Sequence, residues 1–191
     1  MTPRAKDSGT TLIEVLVAIM VMAIIIVPLT GAFVLGVART TASLQDAGNS
    51  ADTQVLATFF ETDVAQAVSI STTTTCGAGV GRTVLLALSW VDGTSQTVAY
   101  VAEEDPGAAS EAGAATAWKV ERVACGPESS SSVVVTQAKA LPSATCDGTT
   151  CTGSTPRRVS LSVSQLARQV TGDQSDGSFS YTVTGTRKVT T

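Results

Sequence analysis

The chain has 191 residues, 43% of them hydrophobic and only 15% charged, and its 12 Lys+Arg against 16 Asp+Glu give a formal charge of −4. No basic block exceeds two residues, so nucleic-acid binding is not expected, since that requires clustered cations to displace phosphate counterions. Histidine is absent, which excludes Ser-His-Asp and Cys-His catalysis and His-ligated zinc.

Residues 1–9 are short and polar, with Arg4 and Lys6 as their positive charges. From Leu12 to Ala38 the chain carries a single charged residue, Glu14. A spanning helix needs roughly 20 apolar residues, so this stretch predicts one, longer than a secretory signal's apolar core. Basic residues ahead of it leave the amino terminus in the cytoplasm and put everything after Arg39 outside. Glu14 is the anomaly. A carboxylate at the start of a spanning helix is costly, and a counter-charge would relieve it.

Gly9-Thr10-Thr11-Leu12-Ile13-Glu14-Val15-Leu16-Val17-Ala18 resembles the class III signal of type IV pilins and type II secretion pseudopilins. The resemblance implies that a prepilin peptidase cuts between Gly9 and Thr10 and methylates the new amine of Thr10. Glu14 then becomes the fifth residue of the mature chain, the family's acidic assembly position. There it would pair with the terminal amine of a neighbouring subunit. Thr10 stands where the family usually has Phe, a departure that bears on processing efficiency. Other major and minor pilins or pseudopilins and an inner-membrane assembly platform are the implied partners. Gly9 suits the cut because it lacks a Cβ and lets the protease approach the backbone.

From Thr40 to about Ser69 the pattern turns amphipathic, with Leu44, Ala51, Val55, Leu56, Phe59, Phe60, Val64 and Ala67 on the apolar stripe. Gln45, Asp46, Asp52, Glu61 and Asp63 are expected on a solvated face, with Phe59 and Phe60 in a core. Pro28, Gly31 and Gly36 predict a bend or local melting in the long helix, because proline removes a hydrogen bond. Leu56–Ala67 also resembles the aromatic-x-x-Asp-hydrophobic-x-x-Ala stretch of minor pilins of the J-type pseudopilin or PilW-like group.

After Thr75 the period becomes two. Strands are predicted at 83–90, 97–101, 117–124, 132–136, 158–164 and 178–186, rich in β-branched residues and bounded by turn formers. The strand at Trp118–Val123 is expected in the sheet interior, and 103–116 and 127–131 read as loops. The order of these strands again resembles the same minor-pilin group. The fold class is therefore α+β, a long amino-terminal hydrophobic then amphipathic helix packed on an antiparallel β-sheet head, as in pilins. Four segments result: a leader over 1–9, a transmembrane or filament-core helix over 10–39, its amphipathic continuation over 40–70, and an extracytoplasmic head over 71–191.

Cys76, Cys125, Cys146 and Cys151 all fall in the exterior portion, where disulfides form. Three connectivities are possible, and the turn-prone Asp147-Gly-Thr-Thr150 favours Cys146–Cys151 with Cys76–Cys125, the latter tying the helix end to the sheet. A zinc site of four thiolates is the rival, but one C-x4-C with two scattered partners matches it poorly. Glu103-Glu104-Asp105 and Asp173–Gly177 could offer oxygens to calcium, yet neither matches an EF-hand loop and both read as surface turns. Asp147-Gly148 reads as turn chemistry, and Ser129–Ser132 as a loop with no base to activate a serine. No metal, cofactor or catalytic set is expected. The competing non-assembly reading is a signal-anchored extracytoplasmic β-domain binding protein or adhesin that keeps residues 1–9.

Overall fold

The structure is a computed structural model that describes residues 11–112, 115–127, 129–151, 155–166 and 178–188. The leader, Gly9, Thr10 and the acidic stretch Asp173–Gly177 lie outside the described residues. Two compact units are distinguished, Met1–Ala42 and Ser43–Thr191. Helix α1, Leu12–Gln66, contributes to both.

In the first unit α1 is apolar on every side, and its Leu12–Val34 stretch contains no buried residue and has a mean hydropathy of 2.9. A helix that is hydrophobic all round has no solvated face to turn outward and is suited to lipid or to other apolar helices. The expected melting at Pro28 and Gly31 is not seen: α1 remains helical through both, and through Gly36. One missing proline N–H does not interrupt a helix this long, and the hydroxyl of Thr30 bonds back to the Ile26 carbonyl at 2.8 Å within the same turn.

The second unit is an antiparallel sheet gathered about the last turns of α1. Its strands are β1 Ser69–Ser71, β2 Arg82–Asp92, β3 Thr94–Glu104, β4 Trp118–Cys125, β5 Ser130–Ala138, β6 Ser143–Cys146, β7 Thr149–Thr150, β8 Arg158–Leu166 and β9 Ser178–Thr186. They run in the order β1-β2-β3-β4-β5-β8-β6-β7, with β9 on the other side of β8. β5 and β6 pair with β8 in succession, Ala138 opposite Gln165 and then Ser143 opposite Ser162, and so carry the sheet from its first half to its second. β4 lies in the interior, between β3 and β5.

Period-two alternation separates two apolar layers. Leu86, Leu88, Val98, Tyr100, Val120, Leu161 and Val183 pack with Leu56, Phe60 and Val64 of α1 in one core. Ala87, Ala99 and Val101, on the opposite face of the same strands, pack under Cys76 and form a second, smaller core. On β8 and β9 the solvent face is instead a ladder of hydroxyl pairs, Ser160 with Thr184 and Ser162 with Thr182. Gly185 of β9 is needed where it stands, because a Cβ there would lie 2.6 Å from Cβ of Val64.

Some elements depart from expectation. Helix α2, Pro106–Ala112, occupies part of the expected loop, begun by Asp105, whose carboxylate caps the amide of Ala108 at 3.1 Å. β1, β6 and β7 are too short to show a period in the sequence. β5 begins at Ser130, so most of the Ser129–Ser132 loop is strand.

Candidate functional site

Glu14 lies in the first turn of α1, where a carboxylate is favoured by the partial positive charge of unpaired amides. The amides of Glu14 and Val15 both turn back to the carbonyl of Thr11, at 3.0 and 3.3 Å, so the helix starts directly before the acid. Glu14 is exposed, and its carboxylate has no hydrogen bond or ion pair among the described residues. The 23 residues of Leu12–Val34, apolar but for Glu14 and Thr30, rise about 35 Å, enough to cross a hydrocarbon core of about 30 Å. One unneutralised carboxylate thus stands at the end of a lipid-length apolar rod.

The acids farther along α1 are arranged differently. Asp63, expected on a solvated face, is only 3% exposed. Arg122 of β4 clamps it with two parallel bonds, Nε to Oδ2 at 2.7 Å and Nη2 to Oδ1 at 2.8 Å. The Tyr100 hydroxyl of β3 donates to Oδ2 at 2.7 Å. Hydrogen bonding to Asp63 holds the Arg122 guanidinium above its ordinary pKa against the opposing effect of burial. Burial and the adjacent Asp63 charge raise the Tyr100 phenol well above its usual range. A planar guanidinium matched to a carboxylate is the strong form of a buried pair, and here it fixes α1 on β3 and β4.

Phe59 is also corrected. It is 39% exposed and lies beneath the Arg122 guanidinium at 5.1 Å, whereas Phe60 is fully buried and meets Tyr100 edge-on at 5.4 Å. The buried side of α1 therefore runs through Asn49, Leu56, Phe60, Asp63 and Val64, with buried Ala67 just after its end, while Ala51 and Val55 point to solvent. Asp52 makes a second tie, accepting bonds from the Thr136 amide and hydroxyl at 2.9 and 2.8 Å and from Gln165 Nε2 at 3.2 Å. Sequence reasoning missed these roles because a hydrophobicity pattern counts every carboxylate as an outward residue. The resemblance over Leu56–Ala67 was the signal that could have singled out Asp63.

Disulfides join Cys76 to Cys125 and Cys146 to Cys151, the pairing favoured by the turn argument. Cys76, however, follows β1 and seals the layer opposite α1, so its bridge ties a loop across the outer face of the sheet rather than the helix end to the sheet. The short bridge closes on Asp147 and Gly148, both at positive φ, and the Asp147 carboxylate accepts the amides of Arg157 and Arg158. These are the dihedral signs of a type I′ hairpin turn. Glu103 is held by Arg82 at 3.1 Å and Lys119 at 3.4 Å, and Glu121 completes that network on the outer face. The acidic stretch 103–105 is not the surface turn expected, since Glu103 and Glu104 end β3 and Asp105 caps α2. No group of three potential metal ligands occurs among the described residues.

Geometry and chemistry together define a membrane-anchored precursor: one apolar helix with a lone acid at its start, and a disulfide-bonded α+β head after it. The family described as the prokaryotic N-terminal methylation motif matches residues 4–30, so the chain carries the prepilin motif of type IV pilins and pseudopilins. No curated protein and no solved structure matches the chain.

Proposed function

We propose that the chain is a minor pilin or pseudopilin subunit, cut by prepilin peptidase after Gly9, methylated at Thr10 and assembled into a type IV pilus or type II secretion-like filament. The observation that carries this reading is Glu14, an acid with no partner among the described residues, five residues beyond Gly9 at the head of a lipid-length helix. Cleavage releases an amine at Thr10, a cation that needs a counter-charge as much as Glu14 does. Each ion alone is costly in an apolar surrounding, and the pair offsets much of that cost. The acid of an incoming subunit meeting the amine of its neighbour would favour stacked helices in one register over unspecific aggregation. The head stays outside the cytoplasmic membrane and reaches the periplasm or cell surface in the filament. Its role is structural, and the inner-membrane assembly platform and other pilins or pseudopilins are its partners.

Intact mass of the protein from a peptidase-competent host, compared with a peptidase-deficient one, tests the processing step. A product starting at Thr10, carrying a methyl group, is expected. Retention of residues 1–9 would instead favour the signal-anchored binding protein or adhesin. Glu14→Gln tests assembly separately: membrane insertion should persist while incorporation into filaments falls.

A further inference from the structure

We propose that the outer edge of β9 is a docking site for an extended, uncharged strand of a partner protein, with Ser or Thr on one face and apolar residues on the other. This concerns the head alone and goes beyond the assembly reading of Glu14. β9 pairs with β8 along its whole length and with no other strand among the described residues. The Arg187 amide bonds to the Arg157 carbonyl at 2.9 Å, one position beyond the Arg158–Thr186 pair. Antiparallel residues alternate between pairs that exchange hydrogen bonds and pairs that do not, so Gly185, Val183, Tyr181 and Phe179 spend their amides and carbonyls on β8. Ser180, Thr182 and Thr184 turn theirs outward. All three are exposed, and those backbone groups have no partner among the described residues. The outward row ends where the Lys188 amide meets the Ala65 carbonyl of α1 at 3.5 Å.

An open strand edge is an ordinary feature, and proteins blunt it by shortness, charge or proline. β1 and β7, at the two ends of the strand order, are three and two residues long. β9 has nine residues with neither a charge nor a proline, so none of these devices protects it. Donors and acceptors alternating along an edge are matched by another extended backbone, which fixes the class of occupant. The two faces of β9 select its side chains. On the hydroxyl face Ser180 bonds Ser164 at 3.1 Å, and Thr182 and Thr184 are likewise paired with β8, so a Ser or Thr opposite each continues the rows outward. On the α1 face Phe179 is 47% exposed, and an apolar residue opposite it covers the ring. A charged residue finds no counter-charge along Ser178–Thr186. β9 itself carries this pattern, but a two-fold axis through paired β9 strands reverses the head segment of α1 in one copy. Copies anchored alike in one membrane cannot adopt that arrangement, whereas a strand from a different protein is free of the constraint.

The test uses the full chain in detergent and two isomers of fluorescein-labelled Val-Thr-Val-Thr-Val-Thr-Val-amide. One is N-methylated at three valines and keeps the threonine amides that face β9. The other is N-methylated at its three threonines and loses them. The valine-methylated isomer should bind saturably by fluorescence anisotropy and slow hydrogen exchange of the Ser180, Thr182 and Thr184 amides, read by NMR. The threonine-methylated isomer should bind at least about tenfold more weakly, the scale of one or more lost hydrogen bonds. Thr182→Pro removes one outward N–H where an edge strand tolerates proline, and should weaken the valine-methylated isomer about tenfold. If Thr182→Pro fails to fold, the comparison of the isomers on the parent chain still decides. Equal binding of the two isomers, exchange slowed outside β9 alone, or outward amides already protected in the free chain, as monomer or as dimer, would each overturn the proposal.

Discussion

Glu14 and Asp63 are carboxylates on one helix, and the two units treat them in opposite ways. In the head, Asp63 is withdrawn from water and its charge is met at once by Arg122 and Tyr100 from neighbouring strands. In the first unit, Glu14 has apolar residues behind it and no partner among the described residues. A buried ion that finds its counter-ion within the chain contributes to specifying a fold. One that does not is suited to recognising another molecule. The comparison separates the part of α1 whose acid is met within the head from the part whose acid has no partner among the described residues.

The contrast breaks most visibly at Asp63. Asp63→Ala leaves half-buried Arg122 and buried Tyr100 without their acceptor and should destabilise the head by about 3 kcal/mol, read by chemical denaturation. If the loss is below about 1 kcal/mol, Asp63 is a surface acid after all. The bridges act on the same scale. Their sequence separations of 49 and 5 imply, on chain entropy, about 4 kcal/mol for Cys76–Cys125 and about 2 kcal/mol for Cys146–Cys151. Paired Cys→Ser variants, melted side by side, check that order. Tyr100→Phe removes one bond to a charged acceptor and should cost about 1.5–3 kcal/mol while the Arg122 clamp stays.

The tyrosines predict a smaller, pH-dependent effect. Burial pushes Tyr181 up to about 12, and Tyr100 is raised as well. Since the folded chain holds these protons more tightly, their contribution is complete below pH 10, the unfolded value, and is lost as pH climbs toward about 12. Denaturation midpoints measured from pH 9 to 12 should fall across that window, and Tyr181→Phe should flatten the fall. Last, Glu14→Gln should leave the denaturation midpoint of the head within about 0.5 kcal/mol of the parent chain, even if incorporation into filaments falls as proposed. A large loss of head stability would mean that Glu14 serves the fold.

The head's longer strands were legible because alternation of apolar and polar residues reports a half-buried sheet, and β9 was read with its observed limits. β1, β6 and β7 were not, since two to four residues hold too little pattern. Asp52, Asp63 and Phe59 were misplaced for a shared reason. Their surroundings come from strands distant in sequence: Arg122, Thr136 and Gln165 are invisible from the helix that they partner.

By itself the sequence determined the apolar rod, the acid at its start, the change of period from helix to strand, and the cysteines available for bridging. Each of these depends on neighbours along the chain, and side-chain chemistry with spacing is enough to read them. Tertiary structure alone decided which acids of α1 are neutralised and which face of the sheet Cys76 seals. Those depend on the electric field and packing that distant strands impose, and such forces exist only once the strands have met.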